Sequence, residues 1–132
     1  MNLKERLKAH EGFSTTPYRC PAGYWTIGYG HFMGAGECKI SKRVADLILE
    51  EDIHQAEFGY MSTGLQLDDV RKDVCVELIF WHGLNGFLGF KKCVTALESG
   101  DFETAAYEMM DSESGRNYTL RMSNLAEMMR SG

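Results

Sequence analysis

The chain has 132 residues, four cysteines and a formal charge of -5, and 44% of its residues are hydrophobic. That length suits one domain, in one or two lobes, with a real buried core and no third structural unit. The acidic balance excludes a nucleic-acid or anionic-membrane binder, whose affinity would rest on clustered Lys and Arg.

From Met1 to Lys8 charge recurs every few residues and no apolar core of signal-peptide length is present; no segment approaches a membrane span. Synthesis in the cytoplasm is therefore expected. Asn2, with Glu5 three residues on, predicts the cap of a first helix over 2–11, its buried face marked by Leu3 and Leu7. Gly12 ends that helix directly after Glu11. A carboxyl group at a helix carboxyl end meets the negative pole of the macrodipole, which disfavours ionisation and keeps a proton available.

The glycines and alternating aromatics that follow predict a tight β-hairpin, with a type I turn at Cys20-Pro21-Ala22-Gly23. Trp25, Ile27 and Tyr29 fall on one face, and Tyr24, Thr26, Gly28 and Gly30 on the other. After a loop to Lys39, Ser41 caps a long helix with Ala45, Leu49, Ile53, Ala56 and Tyr60 in one stripe. The next helix carries Leu67, Val70, Val74, Leu78 and Trp81, and runs into a glycine-punctuated stretch from Gly83 to Gly89.

Phe90, Val94 and Leu97 mark a further helix ending at Gly100, and Asp101 caps another. Asn117 or Thr119 caps a last one bearing Leu120 and Leu125. Met109, Met110, Met122, Met128 and Met129 are expected to fill the core. Cys20, Cys38, Cys75 and Cys93 lack CxxC spacing, so reduced thiols are expected and no zinc site.

Glu11, the region of Tyr18, and the run Thr26-Ile27-Gly28-Tyr29-Gly30-His31 resemble the phage-type lysozymes of glycoside hydrolase family 24. The resemblance continues at Leu67 to Arg71, Phe80 to Phe90, Phe102 to Ala106 and Arg130 to Gly132. It implies an α+β, mainly α, lysozyme-like fold in two lobes forming a single domain over 1–132. The small β-hairpin lobe would span about 12–40, the linking helix about 41–61, and the helical lobe about 62–132 together with the N-terminal helix 2–11.

The resemblance further implies an endolysin that hydrolyses the β-1,4 bond between N-acetylmuramic acid and N-acetylglucosamine in bacterial peptidoglycan glycan strands. It would be a monomer needing no metal or organic cofactor, made in the host cytoplasm and dependent on a holin for passage to the wall. By the same resemblance Glu11 is the general acid, while Thr26 and the residue at position 20 hold and activate water. Tyr18 and His31 support the site, and Phe32, Phe80 and Arg121 contact substrate. Phe80 also fits core packing, one residue from the buried face of its helix. The brief stretch between His31 and the linking helix lacks an insertion found in the T-even relatives, which should open one side of the cleft.

One departure bears on mechanism: the family usually has Asp where this chain has Cys20. A free thiol has a pKa of about 8.5 and offers one soft atom in place of two carboxylate oxygens. A Cys20 thiolate could act as base or nucleophile if His31 or another cation lowers its pKa. Without water activation a substrate hydroxyl could attack instead, giving a lytic transglycosylase, or the chain could bind wall without cleaving it. Oxidation to the sulfinic acid would restore a two-oxygen anion. A cysteine peptidase pairing Cys20 with His31, or a metal site adding His10, lacks the surrounding sequence or spacing. Lys91, Lys92, Arg116, Arg121 and Arg130 are candidates for a local basic face, and Cys93 and Glu108 replace hydroxyl and amide groups common in the family.

Overall fold

The computed structural model describes residues 2–19, 25–28, 31–32 and 40–132, with backbone alone for Glu11, Thr16, Pro17, Trp25, Thr26, His31 and Phe32. The fold is α+β and mainly helical. Its chain contacts divide it into two units, Met1–Leu47 and Ile48–Gly132.

The first unit opens with α1 (Leu3–Glu11). Its start is fixed by a reciprocal cap: Asn2 Oδ1 accepts from the Glu5 N–H at 2.8 Å, and Glu5 Oε2 accepts from the Asn2 N–H at 3.1 Å. Its end is fixed by Gly12, whose φ of 70° is open to glycine and strained for other residues. Leu3 and Leu7, expected to be buried, are 63% and 48% exposed. No described side chain of this unit is fully buried. By its chain contacts α1 falls in the first unit, two residues before the first strand.

Strands β1 (Ser14–Arg19), β2 (Trp25–Gly28) and β3 (His31–Phe32) form an antiparallel sheet in that order. The hairpin is as expected, and β3 extends it. Between the pairs Ser14–Gly28 and Tyr18–Thr26, β1 advances four residues while β2 advances two, so β1 is bulged there. The expected turn at 20–23, the alternation at Tyr24, Tyr29 and Gly30, and the loop over 33–39 lie outside the described residues.

Helix α2 (Lys42–Ser62) matches the expected linking helix, and Ser41 Oγ accepts from the Val44 N–H at 3.2 Å as its cap. Of its predicted stripe, Ala56 and Tyr60 are buried and Ile53 is half-buried, while Ala45 and Leu49 are exposed. The stripe therefore packs only along its carboxyl half, where Ala56 and Tyr60 join the core of the second unit.

Asp68 starts α3 (Asp69–Gly89), accepting from the Arg71 N–H at 3.1 Å. Gly83, at φ 76° and ψ 165°, breaks the helical geometry, so the glycine-punctuated stretch is a change of direction inside one helical run. Then come α4 (Lys91–Ser99), closed by Gly100, and α5 (Phe102–Met110), capped by Asp101 through a 3.1 Å bond from the Thr104 N–H. A short α6 (Glu113–Asn117), which no sequence signal announced, is capped by Ser112. Its presence moves the start of α7 (Thr119–Ser131): the cap is Tyr118, with no side-chain bond, rather than Asn117 or Thr119. The Thr119 hydroxyl instead donates to the Arg116 carbonyl at 3.2 Å.

The core lies where α5 packs on α4 and α7, and α7 on α3. Phe87, Leu78, Met109, Met122 and Met129 are fully buried there, each worth about 1.5 to 3 kcal/mol of apolar transfer. Met110 is partly buried, but Met128 is 40% exposed and Leu120 78%. The buried stripe of α7 is Met122, Leu125, Ala126 and Met129, at i, i+3, i+4 and i+7, and those two residues fall beside it. Arg71 ties the end of α7 to the start of α3. Its Nε and Nη2 donate to the Met129 and Arg130 carbonyls at 2.7 and 2.8 Å, its Nη1 lies 3.0 Å from Asp68 Oδ1, and its guanidinium sits 3.7 Å over the Phe102 ring.

Candidate active site

In the first unit, local chemistry fixes the backbone positions of most of the expected site residues. Glu11 is the last residue of α1, held there by the cap at one end and Gly12 at the other, whose N–H donates to the Lys8 carbonyl at 3.0 Å. In the sheet, Thr26 pairs with Tyr18 on one side and with Phe32 on the other. These three expected site residues thus occupy one rung across all three strands, and His31 occupies the next, opposite Ile27. Arg19, paired with Trp25, ends β1. Cys20, the following residue, lies outside the described residues.

In the second unit, Phe80 and Arg121 line one cavity of about 390 Å³. Leu49, Ile53 and Glu57 contribute from α2, and Asp73, Val76, Glu77 and Phe80 from α3, with Arg121 reaching in from α7. The lining is amphipathic, with aliphatic and aromatic groups beside three carboxylates and one guanidinium, the mixture that suits a sugar with apolar faces and a polar rim. Phe80 is 43% exposed, which rules out core packing as its role. It also borders a second cavity of about 410 Å³, between Asp52, Gln55, Ala56 and Gly59 of α2 and Ile79, Gly83 and Leu84 of α3.

Arg121 is engaged on two sides. Its Nε lies 3.1 Å from Glu77 Oε2, and its guanidinium stacks 4.2 Å over the Trp81 ring. Sequence reasoning missed Glu77. The signal was present, because Asp73, Val76, Glu77 and Phe80 follow helical spacing as a stripe beside the core face of α3.

Two of the other expected cations are paired with carboxylates. Arg116 lies 3.8 Å from Asp111, and Arg130 lies 3.3 and 3.6 Å from Glu103 and Glu127. Lys91 and Lys92 line two further cavities together with Glu108, one of which also includes Cys93. Cys75 and Cys93 are free thiols, 0% and 1% exposed, and burial pushes each up from 9.0 to about 12.

Comparison with known proteins adds the family. A family model described as phage lysozyme matches residues 8–122. The chain is 32% identical over 118 residues to an endolysin of Acyrthosiphon pisum secondary endosymbiont phage 1, covering 83% of this chain and 79% of that relative. It is 25% identical over 141 residues to the probable T4-type lysozyme 1 of Dictyostelium discoideum, covering 84% of this chain and 83% of that one.

Proposed function

The chain belongs to the phage lysozyme family and is a peptidoglycan-degrading lysozyme, and on that premise we propose that it hydrolyses the β-1,4 bond between N-acetylmuramic acid and N-acetylglucosamine. The observation that carries this reading is the family match over 8–122, which spans every proposed site residue from Glu11 to Arg121. Both units act together as one lysozyme-like domain, working as a monomer on glycan strands, with no nucleic-acid partner and with a holin opening the way to the wall.

Glu11 is the general acid. It stands at the carboxyl end of α1 and, in this role, protonates the leaving oxygen. Thr26, in the middle of the three-stranded rung, and Cys20, one residue past β1, hold and activate the water on the anomeric carbon. Tyr18 and His31 support that arrangement from neighbouring positions of the sheet. Phe32 gives an apolar surface to a sugar ring, and Phe80 and Arg121 supply an apolar wall and a hydrogen-bond donor from the second unit.

The test is mass spectrometry of products released from purified peptidoglycan, with Glu11→Gln as control. Reducing-end muropeptides that vanish in the control are expected. Anhydro products would instead identify transglycosylation, the outcome that replacement of the water-activating carboxylate by Cys20 would favour. Wall binding with no release from either protein would sink the hydrolytic reading.

A further inference from the structure

Glu77 and Trp81 stand four residues apart on α3, so they are neighbours on one face of that helix. Together they receive a single side chain from α7: Arg121 places Nε on the Glu77 carboxylate at 3.1 Å and lays its guanidinium over the Trp81 ring at 4.2 Å. A hydrogen bond at Nε and a face-on stack fix both the rotation and the plane of the guanidinium. Its remaining N–H donors have no hydrogen-bond partner among the described residues, although Arg121 borders the cavity that Phe80 also lines.

Stability does not account for this seat. Arg121 and Glu77 are 44% and 43% exposed, and an exposed ion pair contributes about 0 to 1 kcal/mol. Its effect is geometric. We infer that Glu77 and Trp81 are positioning residues that hold Arg121 so that its terminal nitrogens donate to a carbonyl or hydroxyl oxygen of the glycan passing Phe80. This rests on the reading of Arg121 as a substrate contact. It goes beyond that reading in assigning two residues that act on substrate only through Arg121.

The experiment measures muropeptide release and, separately, binding of a soluble chitooligosaccharide by calorimetry, for Glu77→Ala, Glu77→Gln, Trp81→Leu, Arg121→Ala and the double variant Glu77→Ala/Arg121→Ala. Glu77→Ala and Trp81→Leu should each raise KM and the oligosaccharide Kd by roughly 3- to 10-fold with kcat within twofold, and Glu77→Ala should leave the urea midpoint unchanged. Glu77→Gln, which keeps an oxygen acceptor for Nε, should recover most of the loss. The double variant should bind no worse than Arg121→Ala, because the seat has no function without its occupant.

Unchanged KM and Kd in Glu77→Ala would overturn the inference, as would losses that multiply in the double variant. If the unmodified protein releases no muropeptide, the hydrolytic reading fails, and the oligosaccharide Kd still decides the role of the seat. Arg121→Ala with an unchanged Kd would remove the substrate contact on which the seat depends.

Discussion

In the role proposed for position 20, a thiol would follow a different pH rule from a carboxylate. If the thiolate activates water, activity should rise with pH toward the thiol pKa, because only the deprotonated form acts. Cys20→Asp should flatten that rise and increase kcat at neutral pH, by roughly 10- to 100-fold, since an ionised carboxylate is then always present. Initial rates of muropeptide release from pH 5 to 9 check this, and an Asp variant no faster than the parent would remove position 20 from water activation. The buried thiols act on stability instead. Cys75 and Cys93 keep their protons to about 12 when folded and lose them from about 9 when unfolded. Between those values the unfolded chain binds fewer protons, so stability should fall as pH rises above 9. Urea unfolding at pH 8 and pH 10 should show that loss, reduced when both thiols are replaced by Ala.

Among the elements, those closed by local chemistry were legible and those closed at a distance were not. Asn2 with Glu5, Ser41 and Asp101 are caps whose partners lie three residues away, and each is found as the sequence implied. Two-residue β3 and five-residue α6 are too short to carry a periodic pattern. The rung through Tyr18, Thr26 and Phe32 needed the register of three strands, and the bulge in β1 shifts that register away from simple counting. The contact between Glu77 and Arg121 spans 44 residues, and the bonds from Arg71 to Met129 and Arg130 span 58 and 59.

Arg71 is the element-scale clasp: one mostly buried guanidinium satisfies two carbonyls at the end of α7 and packs on the first residue of α5. Arg71→Ala should cost about 2 to 3 kcal/mol in urea unfolding, by leaving those carbonyls without their charged donor. Arg71→Lys should recover only part, because an ammonium cannot reproduce the fork. Full recovery by Lys would mean that charge alone matters there.

For the molecule as a whole, every fully buried side chain described belongs to the second unit, from Ala56 to Met129. Amide hydrogen exchange should therefore be slowest in α3, α5 and α7 and faster by several orders of magnitude in α1 and the sheet, where no described side chain is fully buried. Equal protection in α1 and α5 would contradict this. That outcome would give the helical unit the cooperative stability, while Glu11, Thr26 and Cys20, the residues proposed for proton transfer and water activation, all belong to the other unit.

Cys75 and Cys93 are sealed in that stable unit, leaving Cys20 and Cys38 as the remaining cysteines. An electrophile applied to the native protein should therefore spare the second unit. With Cys38→Ser in place, an iodoacetamide or maleimide becomes a titrant for position 20. Its labelling rate against pH would give the Cys20 thiol pKa directly, and loss of lysis in step with labelling would make this lysozyme open to covalent inhibition at that position.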